Sequence, residues 1–364
     1  MRFPEFTEEW QGEQLQEIAE LSKGIGISKE QLSENGTPCI LYGELYTKYK
    51  SEIISKIISQ TDIEKSKLKH SKQNDVIIPC SGETAIDIAV ARCVPFDNVL
   101  LGGDLNVIRL HKYDGAFMAY QLNGKRKTDI AKLAQGVSVV HLYGENLKSI
   151  KTYNPSLQEQ QKIVKLLSML DERLEVQNKI IEKLQSLIKG IAQNIVLRNK
   201  PNVRISQCLE CSSSTLQESD VLEYGAYPVY GANGVVGFLD NYNTSNEAIY
   251  IIKDGSGVGA VSYVAGKCSA TGTLNILQAK KGFSLRYLYY LLNIFNFEPY
   301  KTGMAIPHIY FKDYGKAQIF CPSYSEQLKY AKFLATIDDK LLTEQNVLIN
   351  LSLQKQYLLR QMFI

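Results

Sequence analysis

The chain contains an internal repeat with an offset of 167 residues, and this repeat constrains the fold more than any other feature. Residues 155–160, Pro-Ser-Leu-Gln-Glu-Gln, match residues 322–327, Pro-Ser-Tyr-Ser-Glu-Gln. The same offset relates His141 to His308. A repeat of this kind indicates a duplicated structural unit. The sequence therefore predicts two copies of one unit, each a globular part followed by a long helix.

A heptad pattern follows each copy of the motif. Apolar residues recur at alternating steps of four and three, which is the seam of a coiled coil. The first seam consists of Ile163, Leu167, Leu170, Leu174, Gln177, Ile181, Leu184, Ile188, Ile191 and Ile195. The second seam consists of Tyr330, Leu334, Ile337, Leu341, Glu344, Leu348, Leu351, Lys355, Leu358 and Met362. Each predicted helix covers about 40 residues, or about 60 Å at 1.5 Å per residue.

The two helices are expected to pair with each other. Gln177 and Glu344 interrupt the seams at matching positions, and a polar seam residue helps to select one register. Ser156 and Ser323 each precede a Glu by three residues, the capping-box spacing, and the proline before each serine fits a helix start. A two-fold relation between the copies makes the helices antiparallel, with the globular parts at opposite ends of a rod. The alternative is that each helix packs on its own domain alone.

The expected fold class is α+β, with two α/β domains separated by two long helices that form an antiparallel coiled coil. The predicted boundaries are 1–150 for the first globular domain, 151–198 for the central helix, 199–320 for the second globular domain and 321–364 for the C-terminal helix.

Short β-branched and aromatic runs predict strands inside the globular parts. The clearest runs are residues 75–79 and 106–110 in the first part and 248–252 and 260–264 in the second. Residues 255–260 also fit the dinucleotide pattern Gly-x-Gly-x-x-Gly/Ala. That pattern should open a helix and precede an acidic residue, whereas a strand-like run without an acid follows here. A tight turn between two strands is the better interpretation.

Two other segments resemble catalytic or metal motifs without completing them. Residues 154–157, Asn-Pro-Ser-Leu, lack the second proline and the aromatic residue of the adenine methyltransferase motif. Cys208 and Cys211 form one Cys-x-x-Cys, but no second ligand pair follows at zinc spacing. We therefore expect neither catalytic residues nor a metal site in this chain.

Charge and hydropathy narrow the class of protein further. The net charge of +3 over 364 residues is low for a protein that wraps nucleic acid without sequence preference. Contacts with DNA would therefore need local positive charge and contacts with bases. The N-terminus has no signal-peptide pattern, and no stretch is apolar enough to cross a bilayer. The expected location is the cytoplasm.

The order of the motifs resembles the specificity subunit of type I restriction-modification systems. The resemblance covers the whole chain and rests first on the Pro-Ser-x-x-Glu-Gln motif that opens each heptad helix. Residues 227–234, Tyr-Pro-Val-Tyr-Gly-Ala-Asn-Gly, resemble a segment of the family's target recognition domains. So do residues 302–309, Thr-Gly-x4-His-Ile, and residues 3–6 with Trp10 resemble the family's opening. The first globular part matches family segments less clearly than the second.

This resemblance implies a non-catalytic chain that binds double-stranded DNA. Each target recognition domain would read one half of a two-part DNA sequence. The paired helices would set the spacing between the halves and dock two modification subunits, which bind S-adenosylmethionine. Restriction subunits, which use ATP, would complete the complex. The alternatives are a coiled-coil scaffold that joins two small-ligand binding domains, and a degenerate DNA methyltransferase.

Candidate DNA-binding residues are cations, histidines and tyrosines of the globular parts. Lysine suits phosphate contacts, arginine can read guanine, and histidine or tyrosine can donate to phosphate or stack on bases. The candidates are Arg109, Lys112, Lys125, Arg126, Lys127, His141 and Tyr143 in the first part, and Lys280, Lys281, Arg286, Lys301, His308, Tyr310 and Lys312 in the second. The alternatives are a solvated turn for residues 125–127 and a structural hydrogen-bonding role for the two histidines.

Overall fold

The computed structural model describes residues 1–64 and 68–364, and these residues divide into two units. Unit 1 contains residues 1–177 and 347–364, and unit 2 contains residues 178–346. Each unit therefore holds one globular part together with a portion of each long helix. None of the described helices combines the length and apolar composition needed to span a bilayer.

The described residues of unit 1, 1–64, 68–177 and 347–364, form thirteen short strands. They are β1 (Gln11–Gln14), β2 (Ala19–Lys23), β3 (Leu32–Ser33), β4 (Thr37–Ile40), β5 (Ser59–Thr61), β6 (Lys69–His70), β7 (Asp75–Pro79), β8 (Ser81–Gly82), β9 (Arg92–Val94), β10 (Leu100–Leu101), β11 (Leu105–Leu110), β12 (Val140–His141) and β13 (Lys151–Asn154). Its helices are α1 (Leu15–Ile18), α2 (Glu44–Thr47), α3 (Ala85–Ile88), α4 (Gly115–Asn123), α5 (Lys127–Lys132), α6 (Gly144–Leu147) and the first part of α7 (Leu157–Leu197).

An antiparallel four-stranded sheet in the order β2-β11-β7-β9 forms the centre of unit 1. Strand β7 is buried along its whole length because both of its faces are covered. Val76 and Ile78 pack in one cluster with Met118 of α4, whereas Ile77 packs in another with Leu101 of β10. A strand covered on both faces reads as a continuous apolar run. This burial explains why residues 75–79 were predictable as a strand.

Unit 2 repeats this architecture with fewer strands. Its elements are β14 (Val203–Arg204), α8 (Ile205–Cys208), β15 (Leu209–Ser213), β16 (Tyr227–Gly231), β17 (Gly234–Leu239), β18 (Glu247–Ile252), β19 (Val261–Ala265), β20 (Ser269–Ala270), β21 (Leu274–Ala279), α9 (Leu285–Leu292), α10 (Phe311–Tyr314), β22 (Gln318–Ile319) and the first part of α11 (Tyr324–Gln361). Short 3₁₀ turns occur at Lys29–Gln31, Glu218–Asp220 and Glu298–Tyr300.

The sheets of the two units correspond strand by strand. The order β15-β21-β18-β19 in unit 2 matches β2-β11-β7-β9 in unit 1, and all of these pairs are antiparallel. A smaller sheet accompanies each central sheet, β3-β5-β4-β10-β6 in unit 1 and β17-β16-β20 in unit 2. Each smaller sheet contains one parallel pair, β4 with β10 and β16 with β20. The glycine-rich residues 255–260 lie between β18 and β19, so the prediction of a turn is confirmed.

The long helices pair in antiparallel fashion, as predicted. In unit 1, Ile163 and Leu167 near the start of α7 share a buried cluster with Leu358 and Met362 near the end of α11. In unit 2, the reverse ends meet, because residues near the end of α7 pack with residues near the start of α11. Every predicted seam residue is buried or half-buried, including the charged Lys355.

The helix starts differ in part from the expected capping. Both long helices begin two residues after the motif proline, so the serine rather than the proline is the cap. At α11, the Glu326 carboxylate accepts from the Ser323 backbone N–H, which is the Glu half of the capping box, and also from the Ser323 hydroxyl. At α7, the predicted reciprocal bond is wrong, because the Glu159 carboxylate instead accepts two bonds of 2.7 Å from the Arg2 guanidinium. A charge-assisted bidentate pair outcompetes a single backbone contact.

The glutamine that ends each motif fastens the long helix to its globular part. The side-chain oxygen of buried Gln160 accepts from the backbone N–H of Asp114 at 2.9 Å, and Asp114 caps α4. Gln327 accepts from the backbone N–H of Ser284, the cap of α9, also at 2.9 Å. Each amide nitrogen donates to the carbonyl of the motif proline, at 2.8 and 2.9 Å respectively. Both ends of each buried amide are therefore satisfied within the fold.

Replacing Gln160 by leucine should destabilise unit 1. The change leaves the buried N–H of Asp114 without its partner, and an unsatisfied buried donor costs about 1–3 kcal/mol. We expect this loss in the free energy of unfolding measured by urea denaturation. Gln158→Leu is the matched control, because Gln158 lies on the same helix and is exposed. Equal stability of the two variants would contradict a structural role for the Gln160 amide.

Candidate nucleic-acid interface

A short loop closed by backbone hydrogen bonds precedes the repeated histidine in unit 1. In loop A, residues 135–141, Gln135 and His141 exchange two backbone hydrogen bonds of 2.9 and 2.7 Å. Gly136 adopts a φ of +120°, and a Cβ atom there would lie 2.2 Å from the carbonyl oxygen of Val139. Only glycine fits this position without a backbone shift. The loop is therefore held in one conformation by its own backbone.

Unit 2 contains the same loop at the repeat offset. In loop B, residues 302–308, Thr302 and His308 exchange backbone hydrogen bonds of 2.9 and 2.7 Å. Gly303 has a φ of +89°, and its Cβ would lie 2.3 Å from the carbonyl oxygen of Ile306. The 167-residue offset between Gly136 and Gly303 thus marks equivalent positions in the structure as well as in the sequence.

An exposed aromatic and cationic cluster adjoins loop A. The His141 ring stacks on the Tyr143 ring, with centroids 6.2 Å apart and an interplanar angle of 23°. The Lys23 ammonium lies 5.9 Å from the Tyr143 ring centroid. His141 and Tyr143 are both exposed. Lys23, the last residue of β2, was not among the predicted residues, because it is remote in sequence from Tyr143.

Loop B carries a similar cluster, with the histidine and tyrosine at the same offset but the lysine at a different position in the chain. His308 stacks on Tyr310 with centroids 6.5 Å apart and an interplanar angle of 26°. The Lys312 ammonium lies 5.2 Å from the Tyr310 ring centroid. Nδ1 of His308 also lies 2.7 Å from Oδ1 of Asp254, which orients the imidazole. We call these two groups the His-Tyr-Lys clusters; they bring together five of the fourteen predicted DNA-binding residues.

The remaining candidates of unit 1 lie outside the cluster, and several are engaged within the fold. Arg109 forms a bidentate ion pair with buried Asp75, at 2.9 and 2.7 Å, and this hydrogen bonding raises the pKa of the arginine. Lys112 is exposed and lies 3.7 Å from Glu13. Arg109 therefore has less capacity to donate to a base than its sequence position indicates.

The basic loop at residues 123–127 forms the connection between α4 and α5, and its cations have different surroundings. Arg126 donates to the Ile364 carbonyl and to Asp129, at 2.5 and 3.3 Å. Lys127 is half-buried, and burial lowers the pKa of its ammonium. Lys125 is exposed. The loop is thus neither a wholly solvated turn nor a uniform cationic patch.

The cations of unit 2 outside the cluster also differ in their surroundings, since some have partners within the fold and one is exposed. Lys280 donates to a backbone carbonyl at 2.9 Å, and Lys301 pairs with Glu298 at 2.6 Å. Arg286 lies 3.8 and 3.9 Å from two aspartates of α11. Lys281 is exposed. Of the described residues, no group of three or more His, Cys, Asp and Glu side chains is arranged to hold a metal ion.

A family comparison matches both halves of the chain. The model of the type I restriction modification DNA specificity domain matches residues 7–186 and again residues 202–351. The two matches follow the internal repeat, one in each copy.

Individual relatives are similar over different lengths. A Mycoplasma genitalium protein named as a type I specificity subunit is 25% identical over 283 residues, which cover 71% of this chain and 73% of that protein. The specificity subunit of the Escherichia coli EcoprrI type I restriction enzyme is 25% identical over 126 residues, or 35% of this chain and 30% of its own length.

Two solved structures share the fold. The S subunit of a type I restriction-modification system from M. genitalium superposes with a TM-score of 0.66 at 20% identity, covering 100% of this chain and 97% of that chain. A chain from a structural study of assembly and conformational transition in the type I R-M system has a TM-score of 0.55 at 15% identity, with coverage of 98% and 97%. The fold described above is therefore shared with solved chains.

Substitutions at Arg126 and Lys125 should have different effects on stability. Arg126→Gln removes contacts with Ile364, Asp129 and the Tyr153 ring, so we expect a loss of about 1–2 kcal/mol in the free energy of unfolding. Lys125→Gln is the control in the same turn and should change stability by less than about 0.5 kcal/mol. Urea denaturation measures both. Equal losses would show that Arg126 is not held as described.

Proposed function

Since the chain belongs to the family of type I restriction modification DNA specificity domains, we propose that it is a non-catalytic specificity subunit whose two globular domains each read one half of a two-part DNA sequence. The observation that carries this proposal is the equivalence of the units. Both present a His-Tyr-Lys cluster with an exposed tyrosine beside a loop of the same backbone geometry. Two similar readers with different surface residues suit a site made of two different halves.

The chemistry of these surfaces supports contacts with DNA. Lysines and histidines donate to phosphates, and such contacts position a protein without reading sequence. Base discrimination requires side chains that match base edges in the grooves. The low net charge of +3 makes both kinds of contact necessary, because overall charge alone supplies little affinity.

The long helices are proposed to set the spacing and to dock two modification subunits. Large apolar side chains remain exposed on both helices, among them Met169, Val176, Leu342, Ile349 and Leu353. Exposed apolar side chains at this density favour a protein-binding surface. In this proposal S-adenosylmethionine is bound by the modification subunits and ATP by restriction subunits, and this chain binds neither. The complex would act on DNA in the cytoplasm.

Exchange of one domain should change one half of the DNA site. We expect that replacing residues 14–150 with the corresponding domain of another specificity subunit changes one half of the methylated sequence and preserves the other. The reason is that separate readers contribute nearly additive binding energies. Methylome sequencing of cells that carry the hybrid gene measures the outcome, with the unaltered gene as the control.

Other outcomes of the exchange would favour other functions. Loss of both halves in a hybrid that still folds and assembles would contradict independent reading. A scaffold for small-ligand domains would show no salt-dependent affinity for DNA. A degenerate methyltransferase would bind S-adenosylmethionine in calorimetry of the purified chain alone.

Lengthening both helices by one heptad should alter the gap between the half-sites. Seven residues inserted after Ile181 keep the seam in phase but extend α7 by about 10 Å, so we expect this single insertion to weaken assembly. A matched insertion after Leu348 of α11 should partly restore it. Methylation mapping of the double insertion then measures the preferred gap. An unchanged gap in an assembled, active double variant would rule out the helices as the spacing element.

A further inference from the structure

The tips of loops A and B expose apolar side chains at equivalent positions. Val137 of loop A is 96% exposed, and Met304 of loop B, 167 residues later, is fully exposed. A second pair at the same offset, Val139 and Ile306, is 51% and 58% exposed. A single exposed apolar residue is ordinary on a protein surface. The recurrence of both residues in both units points to a shared use.

A backbone hydrogen bond made by the residue just after each loop also holds that loop in place. Leu142, just after loop A, donates its backbone N–H to the Cys80 carbonyl at 2.7 Å. Ile309, just after loop B, donates in the same way to the Lys253 carbonyl at 2.9 Å. The closing bonds and the positive-φ glycines act in addition to these contacts. A preorganised loop loses little conformational entropy when its tip enters a binding partner.

The neighbours of the tips favour a DNA duplex over an apolar partner. Each loop ends in a histidine that belongs to a His-Tyr-Lys cluster, so cations and polar rings lie beside the apolar tip. A duplex offers the matching arrangement, since phosphates flank stacked apolar bases. Proteins that bind the minor groove insert methionine, isoleucine or similar side chains between base pairs in this way.

We propose that loops A and B are paired wedges, with Val137 and Met304 each entering a base step from the minor groove while the adjacent cluster contacts the flanking phosphates. This inference rests on the proposed function and deepens it. Because the loops are equivalent while the half-sites differ, the wedge supplies a contact that does not discriminate sequence. Residues elsewhere in each domain then read the bases. The longer Met304 side chain unstacks its step more than the shorter Val137.

Fluorescence of 2-aminopurine, which rises when the base is unstacked, tests the wedge directly. The probe is a duplex that carries the methylated sequence found by methylome mapping, with 2-aminopurine at successive positions. We expect the full chain to raise the fluorescence at one step in each half-site. Met304→Ser should abolish the rise in one half and weaken binding roughly fivefold to tenfold. Val137→Met should enlarge the rise in the other half. The substituted side chains are exposed, so folding is not at issue.

Leu222→Ser in unit 2 and Ile86→Ser in unit 1 are the controls. Both replace exposed apolar residues outside the loops, so they should leave the fluorescence signal unchanged.

One outcome overturns the wedge and leaves the proposed function intact. In it, the full chain binds the duplex specifically without any rise in fluorescence, and Met304→Ser binds with wild-type affinity. The wedge is also overturned if Met304→Ser binds DNA as the unaltered chain does but no longer co-purifies with modification subunits, since the tip would then contact protein. A full chain without salt-dependent affinity for DNA overturns the proposed function and the wedge together.

Discussion

A buried glutamine amide holds each globular part of this protein on its helix, and the arrangement of each unit depends on that contact. Gln160 and Gln327 accept from the backbone at the caps of α4 and α9, so they fix where a domain helix begins relative to a long helix. A second contact occurs eleven residues, or about three turns, further along each long helix. The Tyr120 hydroxyl donates to Asp171 at 2.7 Å, and the Tyr290 hydroxyl donates to Asp338, the repeat partner of Asp171, at 3.2 Å. Buried polar groups such as these must keep their partners, which leaves one orientation available.

These two contacts, the buried glutamine amide and the Tyr–Asp hydrogen bond, together form the anchor of each domain on its long helix. The charged residues around the aspartate of this anchor differ between the two units. In unit 1, Asp171 also pairs with Lys355, a seam residue of α11, which in turn pairs with Glu52. In unit 2, Asp338 faces Arg286 of the domain helix instead. A buried lysine in a largely apolar seam is stable only opposite its carboxylates, so this charge cluster favours one register of the helices in unit 1. The repeat therefore preserves the anchor while its two copies differ in the charges around it.

The proposed function calls for such a division between constant and variable parts. The anchors and the closed loops A and B recur at one offset, whereas the cations around them differ in number and in partners. Constant parts suit tasks that both units share, namely holding the domain and engaging the duplex. Variable surfaces suit the reading of different half-sites. Several predicted cations, such as Arg109 and Arg126, are held by carboxylates or carbonyls within the fold, whereas the tyrosines of the two His-Tyr-Lys clusters are exposed.

The sequence by itself determined the duplication, the two long helices with their seams, and the strands at 75–79, 106–110, 248–252 and 260–264. These features are periodic and local, because burial of one face imposes a repeat of 3.5 or 2 residues, or a continuous apolar run, directly on the chain. Only the tertiary structure decided which polar side chains have partners within the fold and which face outward. Lys23 lies over the Tyr143 ring although 120 residues separate them, and Arg2 takes Glu159 away from its capping box. Contacts between residues distant in sequence depend on how sheets and helices pack, and no local pattern in the chain records that packing.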